Sequence, residues 1–143
     1  MIHLKQLLEK KGADAVTVAA SASVGAAIRT MYKHRVGSVV IQADSGMPIG
    51  ILTERDIMCL CAEGKTDFEN MSLKDCMTTE LVVGKPEDKV TEVLGIMTTR
   101  RFRHMPAVKD GQLVGLVSIG DLVKATLEET AQEAEALRNY ITS

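Results

Sequence analysis

Apolar positions along the chain follow two rhythms. From Val24 through Ile28 to Met31, and again from Val90 through Leu94 to Met97, they recur at helical spacing and predict an amphipathic helix in each half. Around these stripes lie short continuous apolar runs. The first half holds Ala15 to Val18, Ser38-Val39-Val40-Ile41 and Ile49-Gly50-Ile51-Leu52; the second holds Leu81 to Val83, Met105 to Val108 and Leu113 to Val117. Such runs predict strands covered on both faces. The last two runs of each half are joined by turns containing Asp and Gly, a hairpin signal that is strongest at Asp110-Gly111. A further helix starts at once, at Thr53 and at Ser118. Each half therefore reads β-α-β-β-α, and the β-α-β part requires a right-handed crossover between parallel strands.

The halves are copies. Gly50-Ile51-Leu52-Thr53-Glu54-Arg55-Asp56 falls opposite Gly115-Leu116-Val117-Ser118-Ile119-Gly120-Asp121, and Val16, Val24, Met31 and Asp44 fall opposite Val82, Val90, Met97 and Asp110. The register slips by one residue in a hairpin turn, where a duplicated fold tolerates an indel. A repeat this small has helices for one face of its strands only. The expected fold is therefore a mixed α+β and α/β chain, with two β-α-β-β-α repeats packed sheet to sheet about a pseudo-twofold axis and a cleft on either side of it. Small ligands favour such clefts. The expected division is an N-terminal helix (1–11), repeat 1 (12–65), a linker (66–75), repeat 2 (76–128) and a C-terminal helix extension (129–143). Ile2, Leu4, Leu7 and Leu8 mark the first helix, which leads to Gly12. Leu127, Thr130, Ala134, Leu137 and Ile141 form a stripe on the last one, and a homodimer seam is expected there.

Composition narrows the field. With 45% hydrophobic and 25% charged residues, the 143-residue chain is in the folded range. The formal charge of −2 (17 Lys+Arg, 19 Asp+Glu) and 3% aromatic content argue against nucleic acid as a partner, despite Arg100-Arg101-x-Arg103. No apolar run approaches the roughly 20 residues that span a bilayer. Met1-Ile2-His3-Leu4-Lys5 does not begin a secretory signal, so a cytoplasmic protein without a membrane partner is expected. Cys59, Cys61 and Cys76 have no disulfide-framework spacing, and His3, His34 and His104 complete no metal site. The cysteines are expected to be small buried hydrophobes.

Chemistry concentrates where each hairpin turns into a helix, at Thr53/Asp56 and Ser118/Asp121. A hydroxyl residue followed three positions later by an acid is a helix-capping pattern that needs no ligand. It also fits a nucleotide. A helix N-terminus suits a phosphate, and an ionised Asp can accept hydrogen bonds from both hydroxyls of a ribose. Gly50 and Gly115, each inside a strand, suggest a close backbone approach beside the pair.

The repeated Gly-apolar-apolar-Thr/Ser-x-x-Asp, ending a β-α-β-β-α unit, resembles the CBS domain (named after cystathionine β-synthase). The chain is similar to a tandem CBS pair, a Bateman module, over about residues 12–65 and 76–128, with Asp75-Cys76-Met77-Thr78 similar to the start of a repeat. The resemblance implies a regulatory module that binds adenosine nucleotides, reports energy state and forms a disc-like homodimer. It implies that Asp56 and Asp121 bind ribose hydroxyls and that Thr53 and Ser118 contact ribose or phosphate. Val16, Val18, Val39, Val40, Val82, Met105 and Pro106 would enclose adenine, while Arg101, Arg103 and His104 would lie near phosphates. Thr17 and Arg55 complete the expected set. The implied ligand is AMP first, then ADP, ATP or NAD(H), with no catalytic cofactor and no metal. The repeats differ, Gly37-Ser38 against Arg103-His104, Val40 against Pro106 and Arg55 against Gly120, so unequal clefts are expected. With no effector domain evident, the target would be a separate, unidentified protein. Two alternatives stand beside this: a ligand-free dimeric interaction module, and a nucleotide hydrolase using His104 with Asp121 as an acid/base pair.

Overall fold

The computed structural model describes residues 2–11 and 15–142. Gly12, the expected end of the first helix, lies outside them. In chain order the elements are α1 (Leu4–Lys11), β1 (Thr17–Ala19), α2 (Val24–His34), β2 (Ser38–Gln42), β3 (Pro48–Thr53), α3 (Glu54–Ala62), a 3-10 turn (Phe68–Asn70), α4 (Leu73–Cys76), α5 (Val90–Arg100), β4 (His104–Lys109), β5 (Gln112–Ser118) and α6 (Ile119–Thr142). The fold is mixed α/β with two small sheets, β1-β2-β3 and β4-β5.

In repeat 1 the parallel β1–β2 pair and the antiparallel β2–β3 hairpin form as expected, with Val40 opposite both Thr17 and Ile51. Side chains alternate along β2. Val39 and Ile41 enter a core with Val24, Ala27, Met31, Leu52 and Leu73, while Ser38 and Val40 on the opposite face are buried too. Both faces are covered, as the continuous apolar run requires.

Repeat 2 departs from the symmetry at its first strand. Leu81 to Val83, expected as a strand, forms none; one parallel bridge, Gly84 to Ala107, stands in its place. The reason is Pro106. In repeat 1 the Val40 N–H donates to the Val16 carbonyl at 3.0 Å. Its counterpart Pro106 has no N–H to give, so the ladder begins only where the Gly84 N–H donates to the Pro106 carbonyl at 2.8 Å.

The cover of each repeat comes from a segment outside it. Leu4 and Leu8 of α1 sit in the core of repeat 2 with Val90, Val93, Met97, Met105, Val117 and Leu122. Main-chain bonds hold α1 there: Leu4 N–H to the Asp88 carbonyl and Val90 N–H to the Ile2 carbonyl. Leu73 and the partly buried Phe68, Met71 and Met77 cover repeat 1 in the same way. This accounts for the strand glycines. A Cβ at Gly50 would lie 2.4 Å from Met77 Sδ, and one at Gly115 would lie 2.4 Å from Leu8 Cδ2. The close approach at both positions is made by a covering side chain.

Cys59 and Cys61 are exposed and Cys76 is half-buried, which corrects the expectation of buried thiols. The cause is that α3 rests on repeat 1 only through the partly buried Ile57 and Leu60 and buries no residue fully. Burial, with the Asp75 carboxylate as the lesser cause, pushes the Cys76 thiol up. Since the thiolate is the reactive form, iodoacetamide at neutral pH is expected to modify Cys59 and Cys61 before Cys76. Peptide mass spectrometry over a time course checks the order, and Cys76 reacting first would contradict this packing.

Candidate functional site: a cleft walled by both repeats

Each hairpin ends in the same reciprocal cap. Thr53 Oγ1 accepts from the Asp56 N–H at 3.2 Å, and Asp56 Oδ2 accepts from the Thr53 N–H at 2.9 Å. In repeat 2, Ser118 Oγ accepts from the Asp121 N–H at 3.1 Å and Asp121 Oδ2 accepts from the Ser118 N–H at 2.9 Å. These are capping boxes, and they hold both carboxylates at the start of a helix. A carboxylate has about four acceptor sites. The cap uses one oxygen of Asp56 and leaves Oδ1 without a protein donor among the described residues.

The next residue on each helix ties the cap to the facing strand. The Glu54 N–H donates to the Gly37 carbonyl at 2.9 Å, and the Ile119 N–H donates to the Arg103 carbonyl at 2.8 Å. A second pairing then crosses between repeats. Ile51 and Thr78 exchange both main-chain bonds, 3.0 and 2.9 Å, so the segment leading into repeat 2 runs along β3 just before the Thr53 cap. That pairing brings Thr78, Glu80, Leu81 and Val82 to face Thr53 and Asp56.

The result is a cavity of about 480 Å³ lined by Gly37, Ile51, Thr53, Glu54, Arg55 and Asp56 from repeat 1 and by Thr78, Glu80, Leu81, Val82, Arg101, Phe102, Arg103 and His104 from the other side. Its size fits a small-molecule site. A more open groove of about 590 Å³ lies between α2 and α3 but lacks the capped carboxylate.

Charge in the cleft is mixed: Glu54, Arg55 and Asp56 on one wall meet Glu80, Arg101 and Arg103 on the other. Arg101 ends α5 in the left-handed conformation (φ 59°), and its counterpart Arg35 ends α2 in the same way (φ 54°). The turn at residue 101 carries Arg101 to the cleft. Main-chain geometry of this kind favours glycine, so an arginine there costs about 1 kcal/mol.

Of the expected site residues, Thr53, Arg55, Asp56, Val82, Arg101, Arg103 and His104 come together here. Others do not. Val39 and Met105 are in the cores of their own repeats, Val40 is fully buried and Pro106 is buried. Val16 and Val18 pack against the core of repeat 1, and Thr17 is in β1. Ser118 and Asp121 form the second cap, outside this cleft. His104 is in register with Ser118 across β4–β5.

Leu81, Phe102, Thr78, Glu80, Glu54, Ile51 and Gly37 line the cleft without having been expected there. A signal for Gly37 existed, since it is the counterpart of Arg103 and precedes the equivalent strand. Among the described residues, no group of three or more His, Cys, Asp or Glu side chains could hold a metal ion, and no helix is long and apolar enough to cross a membrane.

A family model for the CBS domain matches residues 5–63 and 73–128. The chain belongs to the CBS-domain family. It is 36% identical over 120 residues to the CBS domain-containing protein CBSX3, mitochondrial, of Arabidopsis thaliana, covering 80% of this chain and 58% of that protein. The chain spans 58%, 63% and 41% of the length of three curated relatives it matches. Among solved structures, the CBS-domain containing protein ATU1752 from Agrobacterium tumefaciens superposes with a TM-score of 0.79 at 38% identity, covering 87% of this chain and 98% of that one. The CBS domain protein PAE2072 from Pyrobaculum aerophilum, solved in complex with AMP, gives 0.78 at 27% identity, covering 92% and 99%. Both superpositions span nearly the whole pair, so the two-repeat arrangement is that of CBS pairs.

Proposed function

We propose that this CBS pair is a regulatory module that binds an adenine nucleotide in the cleft between the Thr53–Asp56 cap and Arg101–His104, and reports its occupancy to a separate protein without catalysing a reaction. The observation that carries this reading is the placement of a capped carboxylate and arginines on opposite walls of one cavity. Asp56 Oδ1 is available to a ribose diol, and Arg101 and Arg103 can take a phosphate by charge-assisted bonds. The AMP complex of the related PAE2072 supports the ligand class. Three arginines against three carboxylates leave little surplus positive charge for a long phosphate chain, which favours AMP over ATP.

Calorimetry with AMP, ATP and adenosine tests this. AMP is expected to bind about 10- to 100-fold more tightly than adenosine, the worth of one charge-assisted contact, and Arg103→Ala is expected to remove most of that difference. Absence of binding heat, together with a melting temperature that does not rise with any adenine nucleotide, would leave the capping boxes as purely structural.

A further inference from the structure

A single side chain separates the cleft from the open groove between α2 and α3. Glu54 lines the cleft of about 480 Å³, where Arg101 and Arg103 stand on the opposite wall. It also lines the groove of about 590 Å³, together with Lys33 and Arg35. Among the described residues no other lines both cavities. The placement has a local origin. Directly after the Thr53 cap, the Glu54 N–H donates to the Gly37 carbonyl at 2.9 Å, and its carboxylate rests on Gly37 itself. A Cβ at Gly37 would lie 3.2 Å from Glu54 Cδ and 3.3 Å from Oε2, so the bare glycine makes the seat. Repeat 2 lacks this arrangement, because the counterparts of Glu54 and Gly37 are the uncharged Ile119 and the bulky Arg103.

The carboxylate thus has cations available in two directions, and among the described residues no ion pair fixes it in either. Rotation about its side-chain torsions moves it between staggered positions. An anion held by Arg101 and Arg103 occupies the cations on the cleft side and repels Glu54 from there, while Lys33 and Arg35 attract it on the other. A ligand shifts such an equilibrium only if it interacts differently with the two positions, which a phosphate does and an uncharged nucleoside does not. We propose that Glu54 relays the presence of a phosphate in the cleft to the α2–α3 groove, its carboxylate passing from the cleft side to Lys33 and Arg35 when the phosphate binds. This rests on the nucleotide reading above and gives it a route of regulation: what the cleft holds sets the charge of the groove. By linkage the effect is reciprocal, so the groove also tunes the cleft's affinity for phosphate.

The test combines calorimetry with methyl NMR of the full chain, observing Ile28, Met31 and Ile57, which line the groove and not the cleft. Saturating AMP is expected to move these methyl signals, and saturating adenosine is expected to leave them in place. In Glu54→Gln the AMP-induced movement is expected to vanish, and AMP is expected to bind severalfold more tightly because a like charge has gone. Lys33→Glu carries the reciprocal test on an exposed residue outside the cleft. It is expected to weaken AMP severalfold, to leave adenosine at its wild-type affinity, and to have no effect on AMP when Glu54→Gln is already present. Groove signals that follow AMP equally well in Glu54→Gln, or that follow adenosine as they follow AMP, overturn the relay. So does a Lys33→Glu effect that persists in the Glu54→Gln background. Binding heat from AMP with no movement in the groove overturns this proposal alone, whereas no binding heat at all overturns the nucleotide reading and the relay with it.

Discussion

Asp56→Ala is expected to weaken adenine-nucleotide binding in the described cleft by about 10- to 100-fold, while costing about 1 kcal/mol of stability. The first figure is the loss of hydrogen bonds to a charged acceptor, and the second is the loss of a helix cap. The two effects come from different atoms of one side chain. Oδ2 accepts from the Thr53 N–H and serves the helix; Oδ1 is the atom offered to a ligand. Asp56→Asn separates them, because an amide oxygen can still accept from Thr53 while the charge is gone. The asparagine variant is therefore expected to keep most of the stability and still bind weakly. Asp121→Ala provides the control. It removes an equivalent cap but does not line this cavity, so affinity there is expected to stay near wild type. Isothermal titration with AMP alongside urea denaturation reads both quantities. Wild-type affinity in Asp56→Ala would reduce the pair to a capping device.

Leu4→Ala is expected to cost about 2–5 kcal/mol, the range for emptying a buried leucine site. Leu4 is fully buried in the core of repeat 2, and α1 is bonded through the main chain to the segment before α5. The Lys10–Glu128 contact at 3.0 Å also joins α1 to α6. The Glu128 carboxyl is held below the usual carboxylate range by its hydrogen bond to Lys10. An exposed pair of this kind adds little to stability, so the attachment of α1 rests on its leucines. Tyr32→Ala, at a site 86% exposed, is expected to shift stability by no more than about 0.5 kcal/mol. Urea midpoints compared at a common slope check both values, and a Leu4→Ala midpoint near wild type would mean that α1 does not belong to the core.

These two residues mark how far the chain can be read without coordinates. Asp56 was legible because a cap is local: the hydroxyl, the acid and the two residues between them carry the whole signal, and its recurrence at Ser118–Asp121 doubles it. Leu4 was legible as part of an apolar helix, but its destination was not. Nothing in the stripe Leu4, Leu7, Leu8 says that it covers the distant repeat and not the adjacent one. The missing strand at Leu81 to Val83 falls between these cases. Its cause, the absent N–H of Pro106, is written in the sequence, but matters only because that residue occupies the place where Val40 donates to Val16.

From sequence alone come the duplication, the hairpins, the helix starts and the capped acids, because each depends on residues a few positions apart obeying a fixed backbone period. Tertiary structure decided which wall faces which cap: Ile51 pairing with Thr78 sets Asp56 opposite Arg101 and Arg103 and sends Val39 and Met105 into the cores instead. The reason is that a cleft between repeats is made by chain paths crossing from one unit to the other, and apolar residues on such strands look the same whether they line a cavity or fill a core.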